Sequence, residues 1–274
     1  AAMNVLNAGG NAYDAAIAGL FMLYVTHGEA SGFPGIAPMM LYHAPKDTIK
    51  GYIGVGTAPK LATIEKFKQA GYDEEPSMNI YAQLFRGGPV AALALLKEYG
   101  TMPLSQLIQP AIEKAKEGFP VHNVMQQNLD LPLYKRIGYS ILMPYNAKIY
   151  LDSKPWKPLY LKERFTRPDL AKTFTLLAEA EEKALKNGKS KMEAIEAARN
   201  YFYKGPIADA ISEMHLKKDG LIRKEDLTNY KGKWEEAYNG RFNEYELFVN
   251  GPWSQGMTLI MALHILNQVD LKSM

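Results

Sequence analysis

A chain of 274 residues, 47% hydrophobic and 22% charged, is long enough to bury a large core in one or two domains. Its 32 basic and 29 acidic side chains leave a net charge of +3 with no isolated basic block, which gives nucleic-acid binding through a charged face no compositional support. Cysteine is absent, so disulfides, a cysteine nucleophile and thiolate metal sites are excluded.

Residues Ala1 to Leu6 read as a helix with no lead-in; no signal peptide is visible, and the natural protein is expected to begin earlier. Gly9-Gly10 is a turn. Asn11 follows as an N-cap, and Asp14 stands three residues on, where it suits both a capping box and the positive end of the helix dipole. Beyond it the residues are small or apolar on every side through Val25, which predicts a core helix buried all round. This longest apolar run is too short to span a bilayer and contains Asp14.

Residues 28–38 form a Gly-, Pro- and Ser-rich loop. Met39 to His43 and Ile49 to Val55 read as strands around the turn Ala44 to Thr48, apolar on both faces as in a covered sheet. A short helix is expected from Thr63 to Ala70, and another from Gly88-Pro89 to Tyr99. Pro103 opens a helix to Glu117 whose Leu104, Leu107, Ile108, Ala111, Ile112 and Ala115 make one buried face. Residues 139–165, aromatic and proline-rich, are expected to be an ordered excursion with short strands.

Three further helices are expected, from Pro168 to Asn187, after the capping box Ser190-Lys191-Met192-Glu193, and from Pro206 to Lys218, with a short one from Arg223 to Tyr230. Lys183 to Lys191 is a basic stretch flanked by glutamates and reads as a solvated helix end. Trp234 to Val249 alternates around Asn239-Gly240, a hairpin signal, and an apolar helix follows from Met257 to Leu266. With no repeat or low-complexity segment, residues 1–274 are expected to be a single helix-rich α/β domain.

The residues show no convincing catalytic set. Gly251-Pro252-Trp253-Ser254-Gln255-Gly256 sets a serine at a strand-to-helix bend, but as G-x-x-S-x-G rather than G-x-S-x-G, so the spacing favours Ser254 as a helix cap. His27, His43, His122, His215 and His264 are scattered without ligand spacing, and His43 and His264 read as satisfied core or interface histidines. Gly9-Gly10 and Gly32 to Gly35 could cradle an anion but lack the phosphate-loop residues, so a turn role is expected.

The order of the short motifs resembles the gamma-glutamyltranspeptidase family. The motifs are Gly9-Gly10-Asn11-Ala12-x-Asp14-Ala15-Ala16, Thr57-Ala58-Pro59 after a strand, Gly88-Pro89-Val90-Ala91, and Tyr99-Gly100-Thr101-Met102-Pro103-Leu104 with Gln109-Pro110-Ala111 and Glu117-Gly118-Phe119. Phe202-Tyr203-Lys204-Gly205, Ile207-Ala208, Gly220-Leu221-Ile222 with Glu225-Asp226-Leu227 and Tyr230, and finally Pro252-x-Ser254-x-Gly256 complete the ordered set.

The resemblance implies the four-layer αββα sandwich of N-terminal-nucleophile hydrolases. It also implies a precursor that cuts itself, leaving this chain as the helix-rich large subunit. No catalytic residue is then expected here. The nucleophile is the threonine at the head of the small subunit, which attacks an amide carbonyl with its own α-amine as base. The small subunit and a small-molecule amide substrate are the implied partners, dimers of the pair are plausible, and no cofactor is implied. The chain stops at Leu271-Lys272-Ser273-Met274, before the region where a cut would be expected.

Val55, Gly56 and Thr57 are the implied substrate-binding residues. The family's arginine that grips the glutamyl α-carboxylate would stand where this chain has Val55, and its glycine run is altered to Gly35-Ile36-Ala37-Pro38. A charge-assisted pairing contributes about 1.5–3 kcal/mol, so its loss is expected to weaken glutamyl binding by about one to two powers of ten. Two alternatives remain at this level: a serine hydrolase using Ser254, and a non-catalytic binding protein on the same scaffold.

Overall fold

The computed structural model describes residues 1–76, 79–83, 87–152, 154, 156–157 and 160–270. In chain order the elements are α1 (Ala2–Asn7), α2 (Ala12–Thr26), β1 (Met39–His43), β2 (Thr48–Ile53), α3 (Ile64–Gln69), α4 (Gly88–Tyr99), α5 (Leu104–Glu117), β3 (Phe119–Pro120), α6 (Asn123–Leu129), α7 (Leu133–Leu142), α8 (Pro144–Tyr150) and β4 (Arg164–Phe165). They continue as α9 (Pro168–Lys186), α10 (Lys191–Tyr203), α11 (Pro206–Lys217), α12 (Lys224–Asn229), β5 (Lys233–Glu236), β6 (Tyr238–Phe242), β7 (Tyr245–Val249) and α13 (Gly256–Leu266). The helix-rich α/β character holds. The chain forms two compact units, one from Ala1–Phe33 and Leu95–Ala198, the other from Pro34–Ala94 and Arg199–Met274.

The first unit is helical. α5 packs between α2 and α9, and α1 lies on α2. All six residues of the expected α5 stripe are buried, and each large one contributes about 1.5–3 kcal/mol of burial. Phe21, Tyr24, Phe33 and Phe174 fill the space between α2 and α9, edge to face, with Phe33–Phe174 centroids 5.0 Å apart. Asn11 and Asp14 form the expected capping box on α2. The expectation of a helix buried all round is corrected: Ala12, Ala16 and Leu23 lie on an exposed edge. A stripe of three residues leaves no trace in the residue pattern when every residue of the helix is small or apolar.

The N-terminus of α5 lacks a side-chain cap of its own, since Pro103 stands at that position. Glu181 of α9 supplies it from across the packing interface. Its two carboxylate oxygens accept from the amides of Leu104 at 2.7 Å and Ser105 at 2.8 Å, with the side chain buried. Glu181→Ala is therefore expected to cost about 2 kcal/mol by leaving both amides without an acceptor, and Glu181→Gln less. Chemical denaturation of the full-length protein checks this, and equal midpoints for wild type and Glu181→Ala would refute it.

Residues 139–165 hold one short strand of the kind expected, β4, but the rest of the segment's regular structure is helical. The segment carries α8 and the end of α7, with Pro132 and Pro144 serving as helix starts, and its only pairing among the described residues is β4 with β3 (Phe119↔Phe165). Leu133, Ile137 and Ile141 recur at helical spacing along one exposed edge, a periodicity masked by the aromatic and proline content.

The second unit holds the three-stranded antiparallel sheet β1-β2-β5, with Met39 opposite Tyr52 and Tyr52 opposite Trp234. One hydrophobic cluster on this sheet is Ala37, Tyr52 and Ala91, flanked by Met39, Ala94 and Trp234. β1 is an edge strand with Met40 and Tyr42 exposed, so the expectation of a sheet covered on both faces fails for it. The hairpin is also displaced. Asn239-Gly240 lies inside β6, opposite Phe248 and Leu247, and the turn falls at Asn243, which takes φ +52°. Gly240 is there for space: a Cβ would sit 2.7 Å from Ile260 of α13, which packs on β6. No helix among the described residues is long and apolar enough to cross a membrane. The expected stop at Leu271–Met274 falls outside the described residues.

Candidate functional site

The turn leaving β2 carries Val55, Gly56 and Thr57. Three backbone contacts hold it. The Ala37 amide donates to the Gly54 carbonyl at 2.9 Å, the Gly54 amide donates to Tyr52 O at 2.9 Å, and the Gly88 amide at the start of α4 donates to Gly35 O at 3.0 Å. The altered segment Gly35-Ile36-Ala37 thus zips onto the turn and onto the start of α4. Gly54 allows the approach, because a Cβ there would lie 2.0 Å from the Ala37 carbonyl oxygen.

Tyr230, just after α12, donates its hydroxyl to the Val55 carbonyl at 2.7 Å. Burial pushes its phenol up to about 12, against the opposing pull of Arg199, so it stays a protonated donor at neutral pH. Arg199 in turn donates to the Tyr230 carbonyl and lies over the Tyr203 ring, 5.3 Å from its centroid. The buried Tyr203 hydroxyl accepts from the Val90 amide of α4 at 3.3 Å. Asp226 closes the far side: its Oδ1 accepts from the Lys60 amide at 3.1 Å and its Oδ2 from the Arg223 amide at 2.9 Å.

Between these groups lies a cavity of about 380 Å³, lined by Val55, Thr57, Tyr230 and Asp226 with Lys60, Lys231 and Lys233. Lys60 pairs with Glu225 at 3.1 Å, and Lys231 and Lys233 stand with Asp226 in a lining of mixed apolar and charged residues that suits a small molecule. A cavity of about 490 Å³ in the first unit is lined by Asp152, Lys157, Glu163 and Arg167 among others, but Lys157 pairs with Glu163 and Asp152 with Lys154.

Val55 and Thr57 therefore line one recess, with Gly56 between them in the same turn. Ser254 is elsewhere. Its hydroxyl donates to Asn250 O and Gly251 O and accepts from the Gly256 amide at 3.1 Å. The N-cap of α13 is Gln255, not Ser254, so the cap expectation is corrected by one residue: Ser254 closes the turn that leads into the helix. His215 is a core residue whose Nδ1 accepts from the Ile222 amide at 3.4 Å, and His43 is half-buried at the end of β1. His264, read as a core or interface residue, is exposed on α13. Chain spacing alone did not reveal that the fold brings His27 and His122 together around Glu29.

The family model described as Gamma-glutamyltranspeptidase matches residues 1–274, the whole chain. The chain belongs to the gamma-glutamyltranspeptidase family. Among curated members of the gamma-glutamyltranspeptidase family, the glutathione hydrolase proenzyme of Escherichia coli K12 is 31% identical over 98% of this chain. The chain spans only 43% of that relative's length. Among solved structures, the gamma-glutamyltranspeptidase of Helicobacter pylori is 29% identical with a TM-score of 0.80, covering 99% of this chain and 72% of its own. A cephalosporin acylase from Bacillus halodurans is 26% identical with a TM-score of 0.83, covering 98% of this chain and 47% of its own.

Proposed function

We propose that this chain is the large subunit of a gamma-glutamyltransferase-like amide hydrolase or acyltransferase. The observation that carries the reading is a family match along all 274 residues that still spans less than half of the Escherichia coli proenzyme. The missing part, a small subunit from the same precursor, supplies the nucleophilic threonine. Its hydroxyl adds to the amide carbonyl, its α-amine takes the proton and passes it to the leaving amine, and an acyl-enzyme results. Water or an acceptor amine then releases the acyl group. Residues 1–274 act as one large-subunit domain, the assembled pair forms the four-layer αββα sandwich, and dimers of the pair follow.

Val55, Gly56 and Thr57 form the acyl-side wall. Val55 lacks the arginine's charge, so the acyl group preferred is one without an α-carboxylate, in keeping with the likeness to a cephalosporin acylase. A second reading is favoured by Lys231 and Lys233 in the lining of the same recess, which could supply a counter-charge from another direction. The processed protein, assayed with a γ-glutamyl anilide beside neutral acyl anilides, separates them. Preference for the neutral substrates by about tenfold or more is expected, and preference for the glutamyl substrate would give the lysine reading the site. An intact mass showing no companion fragment headed by threonine would remove the hydrolase reading altogether and leave a binding protein.

A further inference from the structure

We infer that His27, Glu29 and His122 form a binding site for one divalent transition-metal ion of the zinc type. His27 is the C-cap of α2, and His122 is the N-cap of α6. Glu29, between them in space, has a side chain only 4% exposed. Its Oε1 lies 2.8 Å from His27 Nδ1 and 3.2 Å from His122 Nε2. The three donor atoms lie within 4.8 Å of one another, the one such grouping of three ligating side chains among the described residues.

A simple hydrogen-bonded trio does not account for this arrangement. Neither carboxylate oxygen of Glu29 has an imidazole N–H directed at it with hydrogen-bonding geometry, so a buried carboxylate faces two ring nitrogens and is left unsatisfied. Arg167 is occupied elsewhere, donating to Tyr24 O at 3.3 Å. Donors held at about 2.0–2.2 Å by a four-coordinate ion sit about 3.3 Å from one another, close to the separations found. Two imidazoles and one carboxylate suit zinc and its neighbours rather than magnesium or calcium, which take all-oxygen shells. The rings are 34% and 35% exposed, which leaves a water the fourth position.

Binding requires a tautomer change at His122. Its Nδ1 now accepts from the Met125 amide at 3.3 Å, so the ring proton is on Nε2, 3.0 Å from Thr26 O. The ion takes Nε2, the proton moves to Nδ1, and the long bond to Met125 is given up. The ring stays neutral, and the end of α2 becomes clipped to the start of α6.

The full-length precursor, without an affinity tag and stripped with EDTA, is titrated calorimetrically with zinc chloride. One saturable equivalent with a Kd on the order of micromolar or tighter is expected. His122→Gln and Glu29→Gln should each weaken it by at least about tenfold, while the His43→Gln/His264→Gln double variant binds as wild type does. His27→Gln, at a half-exposed ring, serves if the buried Glu29 variant does not fold. Cobalt substitution should give the d–d absorption of a four-coordinate ion, lost in the same variants. No saturable equivalent, or undiminished uptake in His122→Gln and His27→Gln, would overturn the assignment.

Discussion

Asp14→Ala is expected to destabilise the protein by about 3–5 kcal/mol, one of the two largest single-residue effects in the chain. The carboxylate is fully buried at the head of α2. Its Oδ1 accepts from the amides of Thr101 at 2.9 Å and Met102 at 3.3 Å. Its Oδ2 accepts from the Thr101 hydroxyl at 2.5 Å and the Asn11 amide at 3.1 Å. One side chain thus completes a capping box and also terminates the loop between α4 and α5, while the Asn11 side-chain amide donates to Tyr99 O at 2.7 Å. Alanine would strand several donors where water does not reach. An asparagine in its place would keep one acceptor, so Asp14→Asn should fall between wild type and Asp14→Ala.

The pH dependence follows with a definite sign. Burial alone would raise the Asp14 carboxyl, but the Thr101 hydroxyl and the amides of Asn11, Thr101 and Met102 together hold it below the ordinary carboxylate value. A group lowered in the folded state adds stability that is fully present above its unfolded value, about 3.9, and is lost as pH falls through the lower folded value. Wild-type stability should therefore drop on acidification below about pH 4. The slope in that window should be shallower in Asp14→Asn, which has nothing to titrate there. Urea midpoints across the acid range measure it, and parallel profiles for the two proteins would contradict the assignment.

Gly54→Ala is the second large effect, and it bears on the candidate site. The added methyl would meet backbone, the Ala37 carbonyl oxygen at 2.0 Å and its carbon at 2.7 Å, and then the Ala91 side chain at 3.0 Å. Backbone in a zipped turn cannot rotate away as the end of a long side chain can. The bond from the Ala37 amide to Gly54 O would open, and the turn carrying Val55 and Thr57 would move with it. A cost of about 2–3 kcal/mol is expected. On the proposed function, a loss of turnover in the processed protein larger than the fraction unfolded explains is expected as well. Activity that simply tracks the folded fraction would detach this turn from the site.

How much of this was legible without coordinates depended on the range of the interaction. The α2 capping box needs only residues three apart, and the α5 stripe needs only a period, so both were readable. The hairpin was misplaced because Asn239-Gly240 matches a turn signal locally, whereas the pressure on Gly240 comes from Ile260, twenty residues on. Residues 139–165 read as an excursion because of their aromatic and proline content, yet Pro144 among them starts α8. Val55, Gly56 and Thr57 could be singled out by motif order, and Tyr230 stood among the motifs too, but not the bond between them, since Tyr230 is 175 residues from Val55.

The residue order by itself determined the family, the helix-rich class and most helix boundaries, and it singled out Val55 as a position to test. These rest on short-range spacing and on the order of motifs, which survive without a partner. Tertiary structure alone decided that Glu181 caps α5, that Tyr230 holds the Val55 turn, and that His27, Glu29 and His122 converge. Each of these joins groups far apart in the chain through buried hydrogen bonds or close donor atoms, and no local pattern encodes which distant side chain a helix end or turn will meet.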